Sequence, residues 1–357
     1  MRSPDTLTIN DVVERLDRFD SIIDARSPSE FENDHLPGAI SAPVLSDEER
    51  ARVGTIYKQQ SSFDAKRIGA ALVARNIAAH VENLFASKPR NWSPLVYCWR
   101  GGNRSSALAL VLSRIGWQSR VLEGGYKAFR TRVISDLEEF PRRFSFRVIA
   151  GRTGCGKSLI LAELARRGAQ VLDLEAIASH RGSVLGRMPG EEQPGQKRFE
   201  TLLWQALRGF DPGQPVYVES ESRRIGVCHV PETLMQSIRQ GSCITVEASV
   251  ETRVALLQRE YRHFIEDPAR LQEQLTRLTE IHGHATLGRW REWAGHGDWD
   301  NLVTDLLVAH YDPSYDRSMA RNFTRLAEAR SVSLGGPDNQ SIAQAAERLL
   351  WAAGSQP

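Results

Sequence analysis

The stretch GRTGCGKS, at residues 151–158, constrains the fold of this chain more than any other segment. It fits the pattern GxxxxGK[ST] in full and lies between an apolar stretch at 144–150 and an amphipathic segment that follows it. Successive backbone N–H groups of such a loop form a concave anion site, and its glycines let the backbone approach a ligand closely. The pattern therefore predicts a strand, a phosphate-binding loop and a helix in direct succession.

Five residues of this loop are candidates for binding phosphate or diphosphate: Gly151, Gly154, Gly156, Lys157 and Ser158. Lys157 supplies positive charge, and a hydroxyl such as that of Ser158 can ligate Mg²⁺. Cys155 is interpreted as a small filler residue. Because no clear base-recognition element follows the loop, a diphosphate substrate other than ATP suits it just as well. A glycine-rich turn without a ligand is the alternative interpretation.

A further apolar strand is predicted at residues 216–219, and acidic side chains mark its end. Glu219 and Glu221 are candidates for holding a metal ion, although nucleotide hydrolases commonly carry Asp at such a strand end. Solvated charges at the end of a strand explain the two residues equally well. Both interpretations stay open on the sequence alone.

A second glycine-rich loop, CWRGGNRS at residues 98–105, follows a buried strand and precedes a helix. The N-terminus of that helix and the inward N–H groups of the loop create a positive field, which stabilises a thiolate at Cys98. The residues expected to form an anion cradle around this sulfur are Arg100, Gly101, Gly102 and Arg104. Cys98 is thus the candidate catalytic residue, and a buried strand-end cysteine without chemistry is the alternative.

The cysteine loop resembles the active-site loop of rhodanese-type sulfurtransferases, with Cys98 first and Arg104 last. Three more segments resemble parts of the same family: DARSPSEF at 24–31, HLPGA at 35–39 and EGGY at 123–126. One departure is Asp34, which stands where many rhodaneses have Gly and which we expect to affect a turn rather than the chemistry. The resemblance covers roughly residues 5–140.

Apolar strands alternate with amphipathic helices along the chain, which indicates βαβ units and parallel sheets. The polar segment FPRR at 140–143 contains a helix-breaking proline, so a domain boundary is predicted there. The predicted fold class is α/β. An N-terminal rhodanese-like domain with a parallel sheet spans 1–140, and a P-loop NTPase-like α/β domain with a helical C-terminal part spans 141–357.

The composition of the chain limits the classes of function that it can have. The 357-residue chain is 41% hydrophobic and 25% charged, and it lacks the uninterrupted run of about 20 apolar residues that a membrane helix needs. Its four cysteines show no CxxC spacing, which favours a reducing compartment over disulfides or structural zinc. A cytoplasmic protein without a membrane partner is expected. The net charge of +2 neither requires nor excludes a nucleic acid.

The pairing of a rhodanese-like segment with a phosphate loop resembles the tRNA 2-selenouridine synthase family. Further matching segments lie at 42–50, 53–59, 180–183, 196–200, 219–226 and 310–315. The resemblance implies that wobble 2-thiouridine of tRNA is geranylated with geranyl diphosphate, and that selenium from selenophosphate then replaces the S-geranyl group. It also implies that the phosphate loop binds the prenyl diphosphate with help from Mg²⁺. Cys98 would carry selenium covalently or assist its attack, and no tightly bound cofactor is expected.

Several basic residues are candidate contacts for the phosphates of tRNA or of the donor: Arg181, Arg223 and Arg224. Surface loop residues without such a role are the alternative. The arginine-rich stretch 259–277, together with Trp290 and Trp293, suits phosphate contacts and base stacking. Its interleaved acidic residues favour a solvated helix face for most of these side chains.

Two other functions stay open at this level. A rhodanese-type sulfurtransferase fused to an ATP-dependent kinase or hydrolase would transfer sulfur and turn over ATP without RNA. A regulatory ATP-binding protein would use its rhodanese-like unit only for docking. The intact Cys98 with two loop arginines disfavours the docking role, because such a module has no physical need for a thiolate-stabilising cradle.

Overall fold

The computed structural model describes residues 4–354 apart from 184, 188, 189 and 191. The chain divides into two compact units, Met1–Asp136 and Leu137–Pro357. A 3₁₀ turn, Phe140–Arg143, occupies the segment at which the sequence predicts a boundary. The predicted α/β class with parallel sheets is confirmed in both units.

The first unit is built on a five-stranded parallel sheet with the order β1-β5-β4-β2-β3. Its strands are β1 (Asp5–Leu7), β2 (Ser21–Asp24), β3 (Ala39–Ser41), β4 (Pro94–Tyr97) and β5 (Arg120–Leu122). Its helices are α1 (Ile9–Glu14), α2 (Pro28–Asn33), α3 (Asp47–Gln59), α4 (Ser62–Asn83), α5 (Asn103–Ile115) and α6 (Gly125–Glu139). Apolar side chains of β2, β4, α4 and α5 form the core of this unit.

Asp34, the departure from the rhodanese pattern, is fully buried directly after α2. The hydroxyl of Tyr126 donates to its Oδ2 at 2.8 Å, and Arg26 donates to its backbone oxygen at 2.6 Å. Its φ of −175° is extended backbone that any residue adopts. Asp34 therefore ties the end of α2 to the start of α6 and does more than shape a turn, whereas the expectation that it has no part in the chemistry stays a prediction.

The second unit contains a five-stranded parallel sheet with the order β12-β11-β6-β8-β7 and a short antiparallel pair, β9 with β10. Its strands are β6 (Phe146–Ala150), β7 (Gln170–Leu172), β8 (Val216–Glu219), β9 (Arg224–Ile225), β10 (Cys228–His229), β11 (Ser242–Glu247) and β12 (Arg330–Ser333). The helices are α7 (Lys157–Arg166), α8 (Leu174–Ala178), α9 (Gln196–Arg208), α10 (Glu232–Arg239), α11 (Val250–Glu260), α12 (Arg262–Glu266), α13 (Pro268–Leu275), α14 (Thr279–His296), α15 (Trp299–Asp305), α16 (Asp312–Asn322) and α17 (Asn339–Gly354).

The predicted helical stretch after β11 is divided into four helices, α11 to α14, and apolar side chains of α12, α13 and α14 form a second core with α15. Trp290 is fully buried in that core and donates its indole N–H to Asp305 at 2.7 Å. Base stacking on Trp290 is therefore ruled out by its burial. Among the residues that the structure describes, no helix is both long and apolar enough to cross a membrane.

A π-helical segment, Leu306–Tyr311, connects α15 to α16. Pro313 stands in the first turn of α16 and has no N–H to bond the carbonyl group of Ala309, so the α-helical hydrogen-bond ladder is interrupted here. The segment has two sides, because Leu307 is fully buried whereas Val308 is 55% exposed. Single π turns are found frequently at functional sites.

Candidate active sites in the two units

Cys98 lies at the carboxyl end of β4, in front of the N-terminus of α5. It is 3% exposed, and its sulfur accepts a hydrogen bond from the hydroxyl of Ser105 at 3.1 Å. Ser105 is fully buried in the first turn of α5. Ser105 was not among the predicted site residues, although its place at the end of the cysteine loop was a signal that could have found it.

The Gly124–Gly125 turn supports the cysteine loop from behind. Gly125 has a φ of +56°, and a Cβ atom there would collide with the carbonyl oxygen of Cys98. The N–H group of Tyr126 donates to that same oxygen at 2.8 Å, and the N–H group of Lys127 donates to the oxygen of Trp99 at 3.0 Å. The otherwise unpaired N-terminal N–H groups of α6 thus fix the start of the loop.

The two arginines of the loop differ in their surroundings. Arg104 donates to Glu30 at 2.9 Å, and Arg50 approaches the same carboxylate at 3.1 Å. Burial would raise the pKa of Glu30, but the charge and hydrogen bond of Arg104 hold it below its ordinary value. Arg100 is exposed beside the loop. The structure therefore fixes the guanidinium of Arg104 through Glu30 and leaves that of Arg100 at the surface.

The glycines of the cysteine loop adopt the conformations that a tight turn requires. Gly101 has a φ of +65°, and a Cβ atom there would lie 2.6 Å from the carbonyl oxygen of Leu122. Gly102 is the N-cap of α5 and is exposed. The backbone at Gly102 is thus open to an anion approaching the helix N-terminus, as the predicted cradle needs.

The phosphate loop joins β6 to α7, and its three predicted glycines all have positive φ. Lys157 folds back across the loop and donates to the carbonyl oxygen of Gly151 at 2.8 Å. Burial would lower the pKa of Lys157, but the electrostatic influence of neighbouring groups, with Cys155 and Tyr315 first, raises it above its ordinary value. Lys157 is therefore a cation in the site. Cys155 is buried in the core, which confirms its interpretation as a filler residue.

Three carboxylates converge beside Lys157, and one oxygen of each lies within 4.8 Å of the others: Glu175, Glu219 and Glu221. The sheet order explains the convergence, because β8 lies between β6 and β7 and the carboxyl ends of parallel strands share one edge. The hydroxyl of Ser158 donates to Glu175 at 3.1 Å. Sequence reasoning missed Glu175, since it follows a short edge strand and has no motif of its own.

These carboxylates are strongly perturbed. Burial, followed by repulsion from Glu221, raises the pKa of Glu175 to about 8. Burial and repulsion from Glu175 raise the pKa of Glu219 well above its ordinary value. Oε2 of Glu219 is buried and has no hydrogen-bond partner among the described residues. Adjacent carboxylates of this kind are stabilised when a divalent cation supplies the missing charge, and oxygen ligands suit Mg²⁺.

The segment 310–315 supports the phosphate loop from the far end of the unit. Tyr315 accepts a hydrogen bond from the N–H of Gly151 at 2.6 Å. Arg253 donates to the carbonyl oxygen of Thr153 at 2.8 Å and makes two hydrogen bonds to the carboxylate of Asp312. Sequence reasoning matched this segment to the family but gave it no role. Its role in the structure is to fix the backbone of the phosphate loop.

A cavity of about 580 Å³ opens over the phosphate loop and the carboxylates. Arg181 lines it, and the guanidinium of Arg181 stacks 4.8 Å from the ring centroid of Tyr261. Gly182 has a φ of +63°, and a Cβ atom there would lie 2.5 Å from Glu221, which explains why a glycine stands there. Arg223 pairs with Glu232 at 2.7 Å, and Arg224 is exposed. Neither of these two arginines is among the described residues that line the cavity.

Comparison with known proteins identifies the relatives of this chain. A model of the tRNA 2-selenouridine synthase AAA domain matches residues 144–280, and a model of the rhodanese-like domain matches residues 8–132. The tRNA 2-selenouridine synthase of Alcanivorax borkumensis is 33% identical over 84% of this chain and 90% of its own length. The chain belongs to the tRNA 2-selenouridine synthase family.

One more synthase and one solved structure are also similar to this chain. The tRNA 2-selenouridine synthase of Nitrosomonas europaea is 36% identical over 73% of this chain and 68% of its own length. A solved rhodanese-related protein from Thermoplasma volcanium is 17% identical, covers 36% of this chain and 92% of its own length, and superposes with a TM-score of 0.23. The matched synthase domain ends at residue 280, so Asp312 and Tyr315 lie beyond it.

Proposed function

We propose that this protein is a transferase that converts 2-thiouridine at the wobble position of tRNA into 2-selenouridine. It first geranylates the sulfur with geranyl diphosphate and then exchanges the S-geranyl group for selenium from selenophosphate. The observation that carries the proposal is the presence of two anion sites in one chain. One is a phosphate loop in which Lys157 faces three carboxylates, and the other is a thiol cradle around Cys98. Relatives named tRNA 2-selenouridine synthase support tRNA as the substrate.

The first step suits the phosphate loop. A bond forms between C1 of the geranyl group and the sulfur of 2-thiouridine, the bond from C1 to the diphosphate oxygen breaks, and the proton on N3 of the base is released. Negative charge builds up on the departing pyrophosphate, where Lys157 and the loop N–H groups stabilise it. Mg²⁺ held by Glu175, Glu219 and Glu221 would neutralise part of the same charge.

The second step suits the cysteine loop. Selenium attacks C2 of the base, the S-geranyl group leaves as a thiolate, and the phosphorus–selenium bond of selenophosphate is cleaved with water supplying the new oxygen of phosphate. This sequence needs no oxidant, whereas storing selenium from selenophosphate on Cys98 as a perselenide would need a two-electron oxidant. The Cys98 loop then binds the selenophosphate anion and directs the release of selenium. The hydrogen bond to Glu30 fixes the position of the Arg104 guanidinium in this loop.

The remaining assignments follow from this chemistry. Arg181 faces the phosphate cavity and serves the donor diphosphate, whereas the exposed Arg223 and Arg224 are available to tRNA phosphates. The protein acts in the cytoplasm, depends on a supply of selenophosphate and needs no membrane partner.

The decisive experiment incubates the purified protein with tRNA that carries 2-thiouridine, geranyl diphosphate and selenophosphate, and reads the nucleoside masses after digestion. S-geranyl-2-thiouridine and 2-selenouridine should both appear. Cys98→Ser should stop selenium incorporation and spare geranylation, whereas Lys157→Ala should impair geranylation. Unchanged 2-thiouridine with folded protein would contradict the proposal, and ATP turnover without RNA would then support the sulfurtransferase fused to a kinase or hydrolase.

A further inference from the structure

An apolar pocket lies next to the phosphate cavity and has no part in the chemistry assigned above. It has a volume of about 70 Å³ and lies between α11, α12, α13, α15 and the π-helical segment, with part of it open to solvent. Its walls include Leu257, Phe264, Trp299, Leu302 and Leu307. None of the described residues that line it carries a charge. Whatever occupies this space must be uncharged over the enclosed part of its length, because burial of an unpaired charge is strongly unfavourable.

The pocket adjoins the phosphate cavity. Five residues line both spaces: Thr153, Ser183, Leu257, Tyr261 and Tyr311. Thr153 belongs to the phosphate loop itself, and its carbonyl oxygen is fixed by Arg253 at 2.8 Å. A group attached to phosphates in the loop therefore lies beside the wall of the apolar pocket.

We infer that this pocket, beside the phosphate loop, binds the hydrocarbon chain of the prenyl diphosphate whose diphosphate occupies the loop. The inference rests on the proposed function and adds the site that selects the donor by the length of its chain. Val303 of α15, half-buried in the pocket wall, limits how far the chain extends. The pocket and the loop together bind one molecule, with its apolar chain in the pocket and its diphosphate in the loop.

The physical chemistry favours a hydrocarbon chain over a nucleobase. A base needs several aligned hydrogen-bond partners when it is buried, whereas the non-aromatic polar residues in this wall are Thr153, Ser183 and Gln258. A cavity walled by Leu, Phe and Trp stays dry when empty and destabilises the protein until it is filled. A branched apolar chain fills such a space and gains free energy in proportion to the apolar area removed from water.

The test is a series of binding measurements by calorimetry with inorganic pyrophosphate, dimethylallyl diphosphate and a non-hydrolysable thio analogue of geranyl diphosphate. Wild-type protein should bind the geranyl analogue at least about tenfold more tightly than pyrophosphate. Val303→Trp should remove most of that gain and leave pyrophosphate binding within about twofold of wild type. Val308→Trp, the same substitution at a largely exposed valine of the adjoining π-helical segment, should change neither affinity.

The possible outcomes distinguish a failure of the pocket assignment from a failure of the proposed function. Tighter binding of the geranyl analogue that Val303→Trp leaves intact would overturn the pocket assignment and keep the proposed function. Wild-type protein that binds none of the diphosphates would overturn the proposed use of the phosphate loop. Equal affinities along the wild-type series would overturn the pocket.

A second measurement covers the case in which Val303→Trp does not fold. A geranyl diphosphate analogue with a terminal diazirine is photolysed on wild-type protein, and the labelled peptides are mapped by mass spectrometry. Labels within residues 299–307 or 257–271, competed by geranyl diphosphate, are expected. Specific labelling confined to other segments would overturn the assignment.

Discussion

The hydroxyl of Tyr315 accepts a hydrogen bond from the backbone N–H of Gly151 over 2.6 Å, although the two residues lie 164 positions apart. Tyr315 also approaches the hydroxyl of Ser220 at 3.3 Å, beside Glu219 and Glu221. The C-terminal helical part thus reaches the first residue of the phosphate loop and the acidic strand end together. The loop is ordered by tertiary contacts as well as by its own glycines.

Tyr315→Phe removes the acceptor for the Gly151 N–H and keeps the ring. We expect pyrophosphate to bind about three- to tenfold more weakly, because one neutral hydrogen bond contributes about 1 kcal/mol. The comparison is calorimetric, with Tyr57→Phe as the matched control at a tyrosine that is 57% exposed. Equal affinities of Tyr315→Phe and wild type would show that the loop is ordered without Tyr315.

Arg253→Lys tests the buried ion pair with Asp312, in which the side chains of Arg253 and Asp312 are only 4% and 13% exposed. Lysine keeps the charge but cannot bond both Asp312 and the Thr153 carbonyl group with a planar fork. We expect the free energy of unfolding to fall by about 3 kcal/mol. Urea denaturation measures it, and Arg262→Lys in the exposed pair with Glu266 is the control that should leave stability unchanged.

Ser105→Ala removes the hydroxyl that donates to the sulfur of Cys98. We expect selenium incorporation into geranylated tRNA to slow by about fivefold, since one hydrogen bond contributes about 1 kcal/mol. Geranylation should stay at the wild-type rate in the same reaction. Ser106→Ala, one residue further along α5 and exposed, is the control. A loss of both steps in Ser105→Ala would point to misfolding of the loop rather than to the sulfur.

The carboxylate cluster makes stability depend on pH in the absence of metal. The pKa of Glu175 is about 8 in the folded state and has an ordinary value of 4.5. Between these two values the folded protein therefore binds a proton at Glu175 that the unfolded chain has lost. Stability must then fall as pH rises from about 5 to 8, because the unfolded state binds fewer protons there. Melting temperatures in EDTA at pH 5 and pH 8 measure the effect.

Two comparisons test the origin of that slope. Glu175→Gln should flatten the pH dependence, and Mg²⁺ should restore stability at pH 8 in wild type but much less in the variant. Glu266→Gln, at an exposed carboxylate outside the cluster, is the matched control and should keep the wild-type slope. An unchanged slope in Glu175→Gln would exclude this carboxylate as its cause.

The sequence predicts those parts of the two sites that a single continuous segment forms. Gly151 to Ser158 and Cys98 to Arg104 each combine a strand end, a glycine turn and a helix start, so the local pattern is enough to predict a loop. The α/β class follows in the same way from the alternation of apolar strands and amphipathic helices.

The parts that were missed depend on the order of strands or on distant packing. Glu175 lies in the carboxylate cluster because β7 pairs with β8, and no sequence feature near Glu175 predicts that pairing. Arg253 and Tyr315 contact the phosphate loop through tertiary structure at separations of 100 and 164 residues. No sequence feature around Arg253 predicts this contact, and only the structure shows this arginine buried against Asp312.

The chain forms a π-helical segment at Leu306–Tyr311, so the number of residues at this point matters as much as their identity. Adding or removing one residue in the helix on either side of this turn would rotate everything beyond it by about 100° about the helix axis. Asp312 and Tyr315 would then leave Arg253 and Gly151, and Tyr311 would leave the wall shared by the two cavities. We therefore expect insertions and deletions to be tolerated far less here than substitutions at the exposed Val308.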